Sequence, residues 1–367
     1  MNQFLLMHKD DPVARLSVEI NEDNEDVLHV SKVFKGRLLP NGVKNAGWNN
    51  IDECLTIWHD NRCTPSHRPN HNLIMDKLGV NSSPDLLFHS HLCSLTDCYW
   101  FKPQNTDVTW DDVNFYNNGF TSNLSTHLFY NDTNIPINNL NSPDITTDGA
   151  LPKTWERNKD GKFVLVKSSM GKFPMDAYYE IIASKILDEL KFDHVQYWLE
   201  KRNGIDCSIC ECFIKSDDEE FIPTQNVLLG RQCTASEFIP TLRENGFGDD
   251  IDKMFLFDFI IGNIDRHARN YGLIIDSESQ RVKRLAPLFD HGTCDMINDI
   301  GFMTYTPARE PFEKYINGVS SDILSLVHQI DINHIEDVVN NLPFMDATKD
   351  KILKQLKIRI SKIIKII

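Results

Sequence analysis

The spacing of apolar positions changes character along this chain. Near the start, VARLSVEI and DVLHVSKVF alternate apolar with polar residues, which predicts short half-buried strands, while NLIMDKLGV has the spacing of a short helix. From Asn117 to Asp148 the periodicity fades into a stretch rich in Asn, Thr, Ser and Asp. It reads as a long surface connection, with a boundary near Ile135, just ahead of Pro136. KFVLVKSS then predicts a strand with Lys167 near its end. In MDAYYEIIASKILDEL, Tyr179, Ile182, Ile186 and Leu190 fall at helical spacing, and Glu180 lies near the N-terminal end. VQYWLEKRNGIDCSICECFI reads as two strands joined at Asn203-Gly204, a strong short hairpin signal.

Beyond Ile214 helical patterns dominate. SEFIPTLRENG predicts one helix, and DDIDKMFLFDFIIGN another that starts with acidic residues suited to the helix dipole. YGLIID and VKRLAPLFD form an expected hairpin around Ser277-Glu278-Ser279, and the remainder reads as mostly helical. The order of strand, helix, hairpin and then helices is that of an α+β protein. No internal repeat interrupts it.

Composition narrows the classes. With 367 residues, the chain is long enough for two or three folded units. Hydrophobic residues at 41% and charged ones at 25% describe an ordinary globular chain, and a net charge of −15 argues against direct nucleic-acid binding. No run of about 18 apolar residues predicts a membrane span, and MNQFLLMHKDDP turns polar too soon for a secretory signal. The 9 cysteines lack the spacing of a disulfide framework, so free thiols and a cytoplasmic location are expected. Cys54, His59, Cys63, His67, His71, His89, His91, Cys93 and Cys98 are dense enough to raise zinc, but no Cys-x-x-Cys pair sits among them. Cys207, Cys210 and Cys212 read as small buried residues of a strand. The aromatic run CYWFKPQNTDVTWDDVNFY has few cations, so core is the better reading than a base-stacking surface.

The chemistry concentrates in GNIDRHARNYGLIID, where charged and amide residues sit between an apolar helix and an apolar strand. Asp265 and Asn270 stand in the pattern Asp-x-x-x-x-Asn, and Asp290-His291-Gly292 follows one hairpin later. Phosphoryl transfer from ATP requires such parts: one carboxylate to orient the attacking hydroxyl, an amide and a second carboxylate to hold Mg2+. A strand lysine and a helix glutamate should precede them, and Lys167 and Glu180 stand in that order. Alone, Lys167 reads better as a solvent-facing strand end, and Glu180 is open to reading as a surface helix residue. Arg266 and Arg269 are open to two readings, a grip on a substrate phosphate or a brace for a carboxylate. GxxxxGK[ST], HExxH, GxSxG, GxGxxG and the EF-hand loop are absent. The C-terminal KDKILKQLKIRISKIIKII is basic and apolar enough for a membrane-surface helix, but Ile352, Leu356, Ile360, Ile363 and Ile367 make one stripe that favours packing on the helical region.

The stretches TTDGALPKTW, FVLVKSS, ICECF, GNIDRHARN and LAPLFDHGT resemble the HipA-like serine/threonine kinases, the toxin kinases of bacterial toxin–antitoxin modules and their relatives. The resemblance is strong from Phe255 to Asp295 and looser elsewhere after Thr146. It implies a two-lobed protein-kinase-like α+β fold: an N-terminal subdomain over 1–135, a kinase N-lobe over 136–213 and a helical C-lobe over 214–367. It implies Asp265 as catalytic base, Asn270 and Asp290 as magnesium ligands, and Lys167 on the phosphates with Glu180 as its helix partner. His267 would sit beside the phosphates, Phe289 against the adenine, and Glu211 and Phe213 at the inter-lobe hinge. Thr147, Asp148, Gly149, Ala150 and Lys153 fall in the phosphate-covering loop, which departs from the glycine-rich form by having Gly149 alone. Thr146 stands near the position whose phosphorylation silences such kinases, and an added phosphate would repel the nucleotide.

From the same resemblance follow ATP and Mg2+ as cofactors, a protein substrate such as an aminoacyl-tRNA synthetase, autophosphorylation, and a HipB-like DNA-binding antitoxin as partner. Two alternatives stay open. Asp-Arg-His-x-x-Asn also resembles the phosphoinositide kinases, which would make the substrate a lipid or small molecule. The poor glycine loop would also suit a nucleotide-binding regulator that no longer catalyses.

Overall fold

The computed structural model describes residues 2–22, 26–46, 50–62, 91–120, 129, 142–147, 151–168, 175–229, 231, 234–299, 304–305, 310–311 and 318–367. They divide into two compact units. The first comprises Met1–Lys167, Ile214–Gln232 and Leu273–Lys283; the second comprises Ser168–Phe213, Cys233–Gly272 and Arg284–Ile367. The expected helix NLIMDKLGV, the boundary near Ile135, and Cys63, His67, His71 and His89 lie outside the described residues.

In the first unit, β1 (Asn2–His8), β2 (Asp11–Ile20), β3 (Asp26–Val33) and β4 (Tyr99–Pro103) form an antiparallel sheet in the order β3-β2-β1-β4. The alternation in VARLSVEI shows as burial of Val13, Leu16 and Val18, which share a core with Phe4, Leu6 and Phe101. Helix α1 (Ile51–Asp60) adds Leu55 and Trp58 to that core. Neither β1 nor α1 was legible in the pattern, β1 because FLLM is a continuous apolar run without alternation. The aromatic run proves to be core: Trp100, Phe101 and Phe115 are almost fully buried.

One buried carboxylate fastens this unit. Glu220, on β9 (Glu219–Pro223), accepts from His8 Nε2 at 2.9 Å, the Cys98 amide at 2.8 Å and Gln280 Nε2 at 2.9 Å. Burial works against its charge, but the bonds from His8, Cys98 and Gln280 hold its pKa below the usual carboxylate range. Although His8, Cys98 and Glu220 bring ligand atoms within 4.8 Å of one another, these hydrogen bonds already account for the buried anion. The seven described cysteines are buried thiols outside any disulfide, Cys207, Cys210 and Cys212 among them. Strands β5 (Lys153–Arg157) and β6 (Phe163–Lys167) form an antiparallel hairpin in the same unit.

The second unit holds α2 (Met175–Leu190) and the hairpin of β7 (Tyr197–Arg202) and β8 (Ile205–Glu211). Asn203 and Gly204 both take positive φ, 51° and 82°, as a two-residue type I′ turn requires. Helices α3 (Ala235–Leu242) and α4 (Gly248–Ile261) follow; of the next two strands, β10 (Gly272–Asp276) and β11 (Val282–Leu285), residues Leu273–Lys283 belong to the first unit. Helices α5 (Ile332–Asn341) and α6 (Asp346–Ile364) close the unit. On α6, Ile352, Leu356, Ile360 and Ile363 are buried as the stripe predicts, but Ile367 lies past the helix end and is exposed. The α+β class read from the pattern is the class observed, with antiparallel sheets and helices.

Candidate functional site

The site grows from the end of α4. Its last turn closes as a Schellman motif: Asn263 N donates to Asp258 O at 2.8 Å and Gly262 N to Phe259 O at 3.2 Å. Gly262 has φ +67°, and a Cβ there would come within 2.5 Å of Arg359 Nη1, so only glycine fits. The loop after it is tied internally. Asp265 N donates to the Asn263 side chain at 3.0 Å, His267 N to Asp265 O at 2.8 Å, and Asn270 Nδ2 to Asp265 O at 3.1 Å. Asp265 and Asn270 are therefore the two ends of one braced turn.

Arg266 carries that turn to the next segment. Its Nε and Nη2 take the two oxygens of Asp258 at 3.0 and 2.9 Å. Its Nη1 donates to the carbonyls of Asn270 at 2.8 Å and Phe289 at 2.9 Å, and Nη2 also reaches His291 Nδ1 at 3.0 Å. All five guanidinium N–H groups are thus used, with the side chain fully buried. Of the two readings open for Arg266, the brace is the one observed. A single cation fixes the turn holding Asp265 and Asn270 against the residue preceding Asp290.

Asp290 sits in the left-handed region at φ +61°, with its amide donating to Tyr197 Oη at 3.2 Å. The next amide, of His291, donates to Glu180 Oε2 at 3.1 Å. Glu180 is 2% exposed, so this helix residue is buried rather than on the surface, and α2 holds the Asp290 turn through it. Burial pushes the Asp265 carboxyl above the ordinary range; nearby His267 opposes this and Asp290 adds to it. The His267 ring lies 4.0 Å from the Asp265 carboxylate, and both are partly exposed. Phe213 and Phe289, both expected beside the adenine, are in ring contact at 5.4 Å between centroids. Glu211 ends β8, two residues before Phe213.

The remaining expected residues belong to the first unit. Lys153 and Lys167 are directly opposite in the β5–β6 register, and both are nearly buried, at 8% and 6% exposed. Two cations on one face of a hairpin are favourable only where negative charge lies alongside. Thr147 is buried, donating to Pro143 O at 2.6 Å and accepting from Trp155 Nε1 at 2.9 Å. Thr146 donates to Cys93 O at 2.9 Å from the end of a short 3-10 turn, Pro143–Thr146. Asp148, Gly149 and Ala150 lie outside the described residues.

Sequence reasoning missed Asp258, His291 and Arg359. The signal for Asp258 was present: an acid inside FLFDFII must be paired if that helix is buried, and an arginine stands eight residues on.

No family model matches the chain. In sequence it is similar to the serine/threonine-protein kinase CtkA of Helicobacter pylori (strain J99 / ATCC 700824), 25% identical over 210 residues. The match covers 49% of this chain and 58% of CtkA, so the chain spans little more than half the length of that relative. The crystal structure of the Helicobacter pylori proinflammatory kinase CtkA aligns with 58% of the chain and 92% of its own at 19% identity, with a TM-score of 0.48. HipA of Shewanella oneidensis MR-1, solved with HipB and operator DNA, aligns over 98% of the chain and 96% of its own, with a TM-score of 0.58 at 12% identity. The fold is similar to that of HipA along nearly the whole chain. The sequence similarity is thus to a serine/threonine kinase, and the likeness in fold is to HipA.

Proposed function

We propose that this protein is a HipA-like serine/threonine protein kinase that transfers the γ-phosphoryl group of ATP with Mg2+. One observation carries the reading: Arg266, buried on Asp258, joins the Asp265–Asn270 turn to the segment leading into Asp290. Without such a tie a base and two metal ligands would be scattered polar residues.

The residues fit the group they would hold. The carboxylate of Asp290 and the amide oxygen of Asn270 form an all-oxygen set suited to Mg2+. The bond from Asn270 Nδ2 to Asp265 O commits the nitrogen to the loop, so the amide oxygen is the metal-side atom. Bound Mg2+ would neutralise charge on the phosphates. Asp265 would accept the proton of the attacking hydroxyl, and its raised pKa keeps it a better base than an ordinary surface aspartate. Lys153 and Lys167, opposite one another in the β5–β6 register, would meet the phosphates. His267 would stand beside the phosphates; Phe213, Phe289 and Glu211 would receive the adenine. We assign 1–135 to an N-terminal subdomain, 136–213 to the kinase N-lobe and 214–367 to the C-lobe.

Autophosphorylation at Thr146 belongs to the same proposal. Because its hydroxyl donates to Cys93 O, the turn Pro143–Thr146 would have to open before that oxygen could be phosphorylated. HipA of Shewanella is seen with HipB and operator DNA. By analogy a HipB-like partner and a toxin role, with a translation protein such as an aminoacyl-tRNA synthetase as substrate, extend the reading. Among the described residues no helix is long and apolar enough to cross a membrane.

The test is transfer of labelled phosphate from ATP to the protein itself and to added protein acceptors, with and without Mg2+. Metal-dependent transfer abolished in Asp265→Ala is expected. Nucleotide binding without transfer in the wild type would contradict the kinase reading and favour a regulator. Label entering lipid alone would favour the phosphoinositide-kinase alternative.

A further inference from the structure

We propose that Arg359, on the C-terminal helix α6, is a positioning residue for the two turns that carry Asp265 and Asp290. Its catalytic consequence rests on the kinase reading; its effect on the turns rests on geometry alone.

The geometry is specific. Arg359 is 2% exposed, although the helix around it is lysine-rich and open to solvent at Lys354 and Lys357. Its Nη2 donates to Asp295 O at 2.7 Å and Asn298 O at 2.8 Å, and Nη1 to Ile260 O at 3.4 Å. The first two acceptors lie just downstream of Asp290-His291-Gly292, and the third in the last turn of α4, immediately upstream of the Asp265 turn. Gly262 is packed onto the guanidinium so closely that a Cβ would meet Nη1 at 2.5 Å. The same two segments also bond to each other: Asp295 N donates to Gly262 O at 2.9 Å, and Asn263 bridges Cys294. Arg359 therefore caps a junction between the segments flanking the two turns, while Arg266 ties the turns from within the first of them.

Capping orphan carbonyls at a helix C-terminus is ordinary for arginine. Two features go further here. The cation is buried, and its acceptors come from both segments rather than from α4 alone. Arginine's planar fork can reach carbonyls on two segments at once, whereas a lysine ammonium is a single point. Loss of Arg359 would leave the Ile260, Asp295 and Asn298 carbonyls without this donor and free the turns to shift against each other. Catalytic groups displaced by as little as an ångström lose rate heavily.

The experiment compares wild type with Arg359→Met, Arg359→Lys, Gly262→Ala and the exposed control Lys354→Met. Amide hydrogen exchange of the metal-free protein is followed over 262–270 and 291–298, and phosphate transfer is titrated with Mg2+. Arg359→Met is expected to speed exchange in both segments by roughly tenfold or more. It should also raise the Mg2+ concentration for half-maximal transfer several-fold, while Lys354→Met matches wild type in both. Arg359→Lys should fall between them, and Gly262→Ala should loosen the same two segments from the other side of the contact. If Arg359→Met does not fold, the last two variants decide. Faster exchange confined to α6, or a lower melting temperature with both segments at wild-type rates, would overturn the proposal. Loosened turns in a protein that transfers no phosphate would remove the kinase reading and leave the positioning role intact.

Discussion

Asp258 and Arg266 stand eight residues apart and form a two-point carboxylate–guanidinium pair, at 2.9 and 3.0 Å, with both side chains fully buried. A buried pair of this kind contributes little net stability against an apolar replacement, but removing one partner strands a charge. Arg266→Met is therefore expected to cost about 3–5 kcal/mol in urea unfolding, and the double variant Asp258→Leu/Arg266→Met distinctly less than the two single losses added. Additive losses would show that the two residues act separately.

Glu180, expected as the helix partner of Lys167, accepts a hydrogen bond from the His291 amide at 3.1 Å. The amide needs an acceptor oxygen, which glutamine still provides. Glu180→Gln should therefore keep phosphate transfer within about threefold of wild type, whereas Glu180→Leu should lower it roughly tenfold or more, the equivalent of one unsatisfied buried N–H. Equal loss in both would mean that the charge, not the acceptor, is what matters.

The raised pKa of Asp265 sets a pH dependence. A general base works deprotonated, so transfer should rise with pH along an acid limb placed above that of an ordinary aspartate. Of the neighbouring charges, His267 lowers this pKa and Asp290 raises it. Replacing His267 by Gln removes the lowering influence, so the acid limb of kcat/KM should move to higher pH. A shift to lower pH would refute the assignment of that limb to Asp265.

Lys153 and Lys167 share one face of the β5–β6 hairpin. If both meet phosphates, Lys153→Met and Lys167→Met should each weaken ATP binding by roughly ten- to a hundredfold while leaving adenosine binding nearly unchanged. Calorimetry with the two ligands separates a phosphate contact from a general loss of structure, which would weaken both.

Much of this was legible because local patterns carried it. The apolar spacing of MDAYYEIIASKILDEL fixed α2, and Asn203-Gly204 fixed the β7–β8 turn, since each needs only neighbouring residues. The spacing of Asp265, Asn270 and Asp290 was visible too. What sequence could not show was how these pieces are held. Arg266 offered two readings that its five buried donors decide in favour of the brace, and Arg359 lies 99 residues from the Ile260 carbonyl it caps. Nothing local marks a cation inside a lysine-rich helix as the buried one. Strand β1 was missed because a continuous apolar run gives no alternation to read.

In the proposed kinase, the turn braced by Arg266 presents Asp265 as the base of the phosphoryl-transfer site. The most direct measurement is intact-mass and peptide analysis of phosphate gained from Mg-ATP by the wild type, by Asp265→Asn and by Asp290→Asn. Phosphorylated serine or threonine is expected in the wild type or an added protein acceptor, reduced at least about a hundredfold in Asp265→Asn with ATP affinity within about threefold of wild type. Undiminished phosphorylation in Asp265→Asn would contradict the role of Asp265 as base.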